Sequence, residues 1–189
     1  GACAWAAGVD IASIEQGWRD AVGAPGRLER VDGPGPLVLV DYAHTPDALR
    51  RVLATLRPLC PGVLHVVFGA GGDRDPGKRP LMARAAAAGA DRVVLTSDNP
   101  RSEDPELILD ALEAGLSGSS TPWLRIADRA AAIAQAIATA APDDVVLLAG
   151  KGHETTQEVA GQKLPFDDRE HARAALQAHP ARPTRGGRP

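Results

Sequence analysis

The feature that most constrains the fold is a unit that recurs along the chain: a short apolar run, a loop rich in Gly, Pro, Asp or Asn, then apolar residues at helical spacing. Leu37-Val38-Leu39-Val40-Asp41 reads as a buried strand. Thr45-Pro46 then opens a helix, with Thr45 as N-cap and Pro46 at the first helical position. Leu49, Val52, Leu53 and Leu56 give that helix one apolar face. The unit returns with a strand at Val63 to Phe68 and a helix from about Arg79 to Ala88. It returns again with a strand at Arg92 to Thr96 and a helix capped by Asp104-Pro105, turning Ile108, Ala111 and Leu112 inward. A short strand at Trp123 to Ile126 leads to an Ala-rich helix from Asp128 to Ala141, and Asp144 to Leu148 is a further strand. Val159 to Leu164, with Gly161-Gln162 between, suits a small hairpin, and Asp168 to Ala178 is the last helix.

Strands that alternate with helices in this way predict an α/β fold: a Rossmann-like, mostly parallel sheet with helices on both faces. The 189 residues, 44% of them apolar, suit one such domain. The first 24 residues differ. Ile11, Ile14, Trp18 and Val22 mark one amphipathic helix, followed by the linker signal Gly23-Ala24-Pro25-Gly26. From the residues alone two expectations stand for residues 1–24: the end of a truncated upstream domain, or a helix packed on the sheet. Residues 25–179 form the domain itself. Residues 180–189, with Arg182, Arg185 and Arg188 among Pro and Gly, are expected to be a disordered tail.

The formal net charge of −3 argues against nucleic acid or an anionic membrane as a bulk partner. Cys3 and Cys60 have neither metal-ligand nor disulfide-framework spacing, which suits a reducing compartment. No run approaches the ~20 apolar residues that span a bilayer. The start, Gly1 to Trp5, lacks a basic signal-peptide region. The expected location is the cytoplasm.

In a parallel sheet, strand-to-helix loops emerge at one edge, where ligands bind. Four such loops carry unusual residues: 41–46, 69–79, 98–101 and 150–154. The loop Gly69-Ala70-Gly71-Gly72-Asp73-Arg74-Asp75-Pro76-Gly77-Lys78-Arg79 nearly matches a P-loop, but Arg79 stands where Ser or Thr must hold magnesium. Asp73 and Asp75 also stand where phosphate would lie. Two readings survive: an anion site of free helix-start N–H groups with Arg74, Lys78 and Arg79, or a solvated turn with internal Asp–Arg pairs. In Asp98-Asn99-Pro100-Arg101 the proline stiffens a turn from which Arg101 projects, suited to gripping a carboxylate. The same four residues also suit a plain Asx turn. In Gly150-Lys151-Gly152-His153-Glu154 the glycines let backbone approach a ligand, and Glu154 suits an ammonium group. Lys151 is equally compatible with a surface charge. No nucleophile triad or metal cluster is visible. Residues alone lead to an α/β domain that binds a small zwitterion such as an amino acid.

These loops, in this order, resemble the Mur ligase family. The resemblance rests on Pro25 to Glu29, Asp41 to Leu49, Gly72 to Pro80, Asp98 to Arg101 and Gly150 to Glu154, and runs from about residue 10 to 178. The family joins an amino acid to a nucleotide-sugar peptide of peptidoglycan synthesis, using ATP and Mg2+ to activate a carboxylate that the amine then attacks. The resemblance implies the C-terminal domain of such a ligase, and for residues 1–24 it implies the first expectation, the end of a truncated central ATP-binding domain. It implies that Arg74, Asp98, Asn99, Pro100, Arg101, Gly150 and Glu154 bind the amino acid, and that Arg27, Asp41 and His44 lie near ATP at a domain junction. The Asp-Asn-Pro-Arg form is the one associated with meso-diaminopimelate, whereas lysine-adding members usually replace the arginine. The second substrate, UDP-N-acetylmuramoyl-L-alanyl-D-glutamate, would be held by domains outside this chain, as would most contacts to ATP and Mg2+. No catalytic residue and no metal ligand is expected among these 189 residues, so the chain alone is expected to be inactive. A ligase for lysine or another diamine, or a non-catalytic flavodoxin-like binding module, are the alternative expectations.

Overall fold

The computed structural model describes residues 2–20 and 23–179, without the side chains of residues 18–20. Val22, the Trp18 side chain and the basic tail therefore lie outside the described residues.

Six strands form one sheet: β1 (Glu29–Val31), β2 (Leu37–Asp41), β3 (Leu64–Phe68), β4 (Arg92–Leu95), β5 (Trp123–Arg125) and β6 (Val145–Ala149). Their order is β1-β2-β6-β3-β4-β5. β2, β6, β3, β4 and β5 run parallel, and β1 pairs antiparallel with β2 on the edge. Every residue of β3 and β6, the two central strands, is buried. That is why β6 reads as an unbroken apolar run, and β3 as one interrupted only by His65, rather than as alternating patterns. β1 escaped the sequence reading because only Val31 of its three residues is buried.

Side chains of one strand alternate between the two faces. Leu39, Val66, Phe68 and Leu147 face α3 (Pro46–Leu56), α4 (Lys78–Gly89) and α5 (Pro105–Glu113), meeting Leu49, Leu53, Met82, Ala86 and Leu112. Val38, Val40, Val67 and Leu148 face the other way and pack on Ile133, Ile137 and Leu176 of α6 (Arg129–Thr139) and α7 (Asp168–Gln177). Each fully buried Leu, Ile or Phe contributes roughly 1.5–3 kcal/mol. In α5 the inward residues are Ile108, Leu109 and Leu112, while Ala111 is only half-buried.

The starts of α3, α5 and α6 fall at residues whose side chains cap them. Thr45 Oγ1 accepts the Ala48 N–H, Asp104 the Glu106 N–H and Asp128 the Ala131 N–H. For α7 the cap is Asp167, which accepts the Arg169 N–H. The hairpin consists of β7 (Thr156–Val159) and β8 (Gln162–Pro165), joined through Ala160 and Gly161, both at positive φ.

Two helices precede the sheet, α1 (Ala2–Ala6) and α2 (Ile11–Asp20), where one was expected. Ile11 is 63% exposed and Ile14 half-buried, so Ile11 does not pack on the sheet. Among the described residues no helix is long and apolar enough to cross a membrane.

Candidate functional site

The loops that follow β2, β6, β3 and β4 come from four neighbouring strands and meet at the C-terminal edge of the sheet. Between them lies a cleft of about 230 Å³. Of the residues expected in an amino-acid site, Arg74, Asp98, Asn99, Arg101, Gly150 and Glu154 all line it. His44 lines it too, joined by Tyr42, Gly71 and Lys78. Pro100 is buried and does not reach the lining.

The first wall is the loop after β3. Its Gly72 N–H donates to Asn99 O at 2.9 Å, which ties it to the loop after β4. Asp73 accepts the Ser102 hydroxyl at 2.7 Å, and this bond holds its carboxyl below the usual carboxylate range. Asp75 accepts the Gly77 N–H at 2.9 Å. The expected anion site thus needs two corrections. Two helix-start N–H groups are already occupied, that of Gly77 by Asp75 and that of Arg79 by Pro76 O. The Arg79 side chain, 4% exposed, is turned away to donate to both oxygens of Glu103 at 2.8 Å. The acids of this loop pair with Ser102 and backbone rather than with Arg74. Of this loop's cations, Arg74, which is exposed, and Lys78 remain facing the cleft. Burial pulls the Lys78 ammonium below the usual lysine value, against the opposing charges of Asp98 and Asp75.

The second wall is the loop after β4. Asp98 is 8% exposed, and among the described residues its carboxylate accepts no hydrogen bond. Gln157 Nε2 donates to the Asp98 carbonyl at 2.7 Å. Arg101 has φ 55°, a left-handed backbone that costs a non-glycine residue of order 1 kcal/mol or more. The hairpin pays this back: the Arg101 N–H donates to Glu158 O at 2.9 Å. The Arg101 guanidinium donates to Gly72 O at 2.6 Å, and its Nε stands 3.8 Å from Glu158 Oε2. Pro100 alone did not reveal this; β7 and Gly72 also brace Arg101.

The third wall is the loop after β6. Gly150 has φ 115°, and its N–H donates to Asp41 O at 3.0 Å. Lys151 is no surface charge: it is 0% exposed, and its ammonium donates to Thr156 O, Asn99 Oδ1 and Glu154 Oε2. Glu154 Oε2 also accepts from Asn99 Nδ2 at 2.8 Å. His153 is exposed, with its ring 5.7 Å from that of Tyr42.

Beside the cleft lies a second group. A side chain on Gly26 would strike the backbone of Gly152 and His153, so the 24–28 turn lies directly on the 150–154 loop. Both Asp41 oxygens are engaged, accepting the N–H groups of Leu28 at 2.9 Å and Ala43 at 2.8 Å. Arg27 is exposed, its guanidinium 5.0 Å from the centre of the Tyr42 ring. His44, also exposed, packs edge-on against the same ring. Among the described residues no three His, Cys, Asp or Glu side chains are placed to share a metal ion.

Behind the site, Arg129 and Asp168 form an ion pair with both side chains 0% exposed, Nε and Nη2 each donating at 2.7 Å. The same guanidinium donates to Ser97 O at 3.3 Å and Ala149 O at 3.1 Å, the residues just before Asp98 and Gly150. The sequence reading missed Tyr42, Lys151 and Arg129 as parts of the site's frame. Only the first two sat in loops it had singled out, and a lone arginine at a helix start carries no local signal.

Residues 26–152 match the family model described as Mur ligase, glutamate ligase domain. The chain is 55% identical over 177 residues to a UDP-N-acetylmuramoyl-L-alanyl-D-glutamate–2,6-diaminopimelate ligase of Synechococcus elongatus, covering 93% of this chain and 35% of that protein. A solved structure of a ligase of the same name superposes with a TM-score of 0.81 at 46% identity, over 93% of this chain and 36% of the other. E. coli FolC, solved in complex with ADP, superposes with a TM-score of 0.55 at 25% identity, over 77% of this chain and 33% of the other. The chain spans about a third of the length of the curated relatives it matches.

Proposed function

The chain belongs to the Mur ligase family, and from that premise we propose that residues 25–179 recognise the amino acid for an ATP-dependent ligase adding meso-diaminopimelate to UDP-N-acetylmuramoyl-L-alanyl-D-glutamate. The observation that carries the reading is one cleft holding both signs of charge: Arg74, Lys78 and Arg101 with Asp98 and Glu154. A zwitterion needs both. Cations alone would suit a phosphate, and carboxylates alone a polyamine.

The arginines decide between diamines. meso-Diaminopimelate differs from lysine by one further carboxylate. Arg101, whose side chain is 25% exposed and fixed from behind by Gly72 O, presents a guanidinium for two parallel bonds to that carboxylate. Lysine leaves the arginine unmatched, and ~3 kcal/mol of such mismatch gives a preference of roughly a hundredfold.

ATP fits the neighbouring edge. Arg27 and His44 are both exposed against the Tyr42 ring and would hold its phosphates, while Asp41, with both oxygens engaged, supports the turn after Arg27 through the Leu28 N–H. When bound, ATP supplies the phosphoryl group that activates the precursor's carboxylate. Mg2+, most ATP contacts and the nucleotide-sugar peptide belong, on this reading, to segments outside this chain.

The test is a chimera in which this chain replaces the matched segment of the Synechococcus elongatus relative. Phosphate release is measured with ATP, Mg2+ and the UDP-muramoyl-dipeptide. A strong preference for meso-diaminopimelate over L-lysine is expected. Preference for lysine would remove the diaminopimelate assignment, and release with neither, from a folded chimera, would remove the ligase reading.

A further inference from the structure

We propose that Lys151 is the positioning residue of the cleft: its buried ammonium dictates which atoms of Asn99 and Glu154 face an incoming amino acid. The inference rests on the amino-acid reading above and adds a residue that touches no ligand.

A lysine ammonium has three donors, and all three are used inside the protein. Nζ donates to Thr156 O at 2.6 Å, Asn99 Oδ1 at 3.1 Å and Glu154 Oε2 at 3.2 Å. The side chain is 0% exposed. A charge so deeply buried persists only when paired and fully hydrogen-bonded.

Its grip settles the side-chain amide of Asn99. Oδ1 receives two donors, the Lys151 ammonium and the Glu158 N–H at 3.0 Å. Turning the amide over would set its NH2 group against both. The NH2 group is therefore committed to the other side, where one N–H donates to Glu154 Oε2 at 2.8 Å. The second N–H is left for the cleft that Asn99 lines.

The same grip divides the two oxygens of Glu154. Oε2 accepts from Lys151 and Asn99, and among the described residues Oε1 accepts no hydrogen bond. Glu154 thus serves one cation inside the protein and has one oxygen left for a second cation in the cleft. One N–H and one carboxylate oxygen, held side by side, match the carboxylate and ammonium of an α-amino acid. Lys151 also joins the loop after β6 to the start of β7, the strand that holds Arg101.

The test uses the 189-residue chain, its unsubstituted form and Lys151→Met. Titration calorimetry with meso-diaminopimelate is expected to show the dissociation constant rising at least tenfold in Lys151→Met. In the 15N–1H spectrum of that variant, the two Asn99 side-chain N–H signals are expected to move and lose their separation. A folded Lys151→Met with unchanged Asn99 signals and unchanged affinity would overturn the proposal, whatever happened to its melting temperature. Should the variant not fold, the unsubstituted chain still decides. Its Lys151 15Nζ signal is expected to be slow to exchange and to stay so when meso-diaminopimelate saturates the cleft. Loss of that protection on ligand binding would show Lys151 being displaced and would overturn the proposal. No binding by the unsubstituted chain would instead remove the amino-acid reading, while the Asn99 signals still report on what Lys151 holds.

Discussion

Gly150 lies against Asp98 so closely that a Cβ on the glycine would stand 2.4 Å from Asp98 Oδ2. Two loops from non-adjacent strands meet there, one supplying a backbone with no side chain and the other a carboxylate that lines the cleft. The position also requires glycine for its φ of 115°. Gly150→Ala is therefore expected to act twice. The methyl group pushes Asp98 out of place, and the strained backbone costs about 1–3 kcal/mol. Calorimetry should show affinity for meso-diaminopimelate falling at least tenfold, and thermal melts should fall by several degrees at ~2–4 °C per kcal/mol. Unchanged affinity would mean that the Asp98 carboxylate is not part of recognition.

Arg101→Ala tests specificity rather than stability. The side chain is 25% exposed, and its loss frees Gly72 O to bond water. Removing the guanidinium should therefore leave the melting temperature nearly unchanged. Affinity for meso-diaminopimelate should fall roughly a hundredfold, equivalent to ~3 kcal/mol, with little change for L-lysine. Equal losses for both amino acids would show that Arg101 grips the part they share.

Arg129 and Asp168 make the opposite case, a pair far from solvent whose work is structural. Removing one partner strands a buried charge, which costs roughly 3–5 kcal/mol. Asp168→Asn or Arg129→Met should each lower the melting temperature by about 6–20 °C. The double change Arg129→Met with Asp168→Leu should recover part of that loss, since it strands no charge. Recovery will stop short of complete, because Ser97 O and Ala149 O each lose the donor that Arg129 supplies. Additive losses in the double variant would contradict the pairing.

Why some of this was legible in the sequence and some not follows from the range of the interactions. Strands such as Val145–Ala149 show as apolar runs, and caps such as Thr45 and Asp104 bond within three residues, so neighbouring letters contain the signal. The loops of the cleft were legible because glycine, proline and charge crowd into a few positions. What no local pattern contains is a bond across the fold. Lys151 reaches Asn99 over 52 residues, and Arg129 reaches Asp168 over 39. In sequence each is one more cation. Arg79 was assigned to an anion for the same reason, its partner Glu103 lying 24 residues on. β1 failed differently, as an edge strand with one buried residue that offers no period to read.

His65 provides a test of the core at the other end of the sheet. It is 2% exposed at the start of β3, with Nε2 3.4 Å from Asp144 Oδ2. Burial pulls its imidazole below the ordinary histidine value of 6.5 and Arg92 adds to this, while Asp144 and Asp91 oppose it. The folded chain thus holds the ring neutral under conditions where the unfolded chain binds a proton. Stability that depends on the neutral ring is complete above pH 6.5 and is lost as pH falls below that value. Melts between pH 7.5 and 5 should show the unsubstituted chain losing stability over this range, before the ordinary carboxylates titrate at about 4. His65→Asn, which keeps a polar side chain but cannot titrate, should start less stable and lose less. If the two curves stayed parallel down to pH 5, the buried imidazole would not be the group that responds.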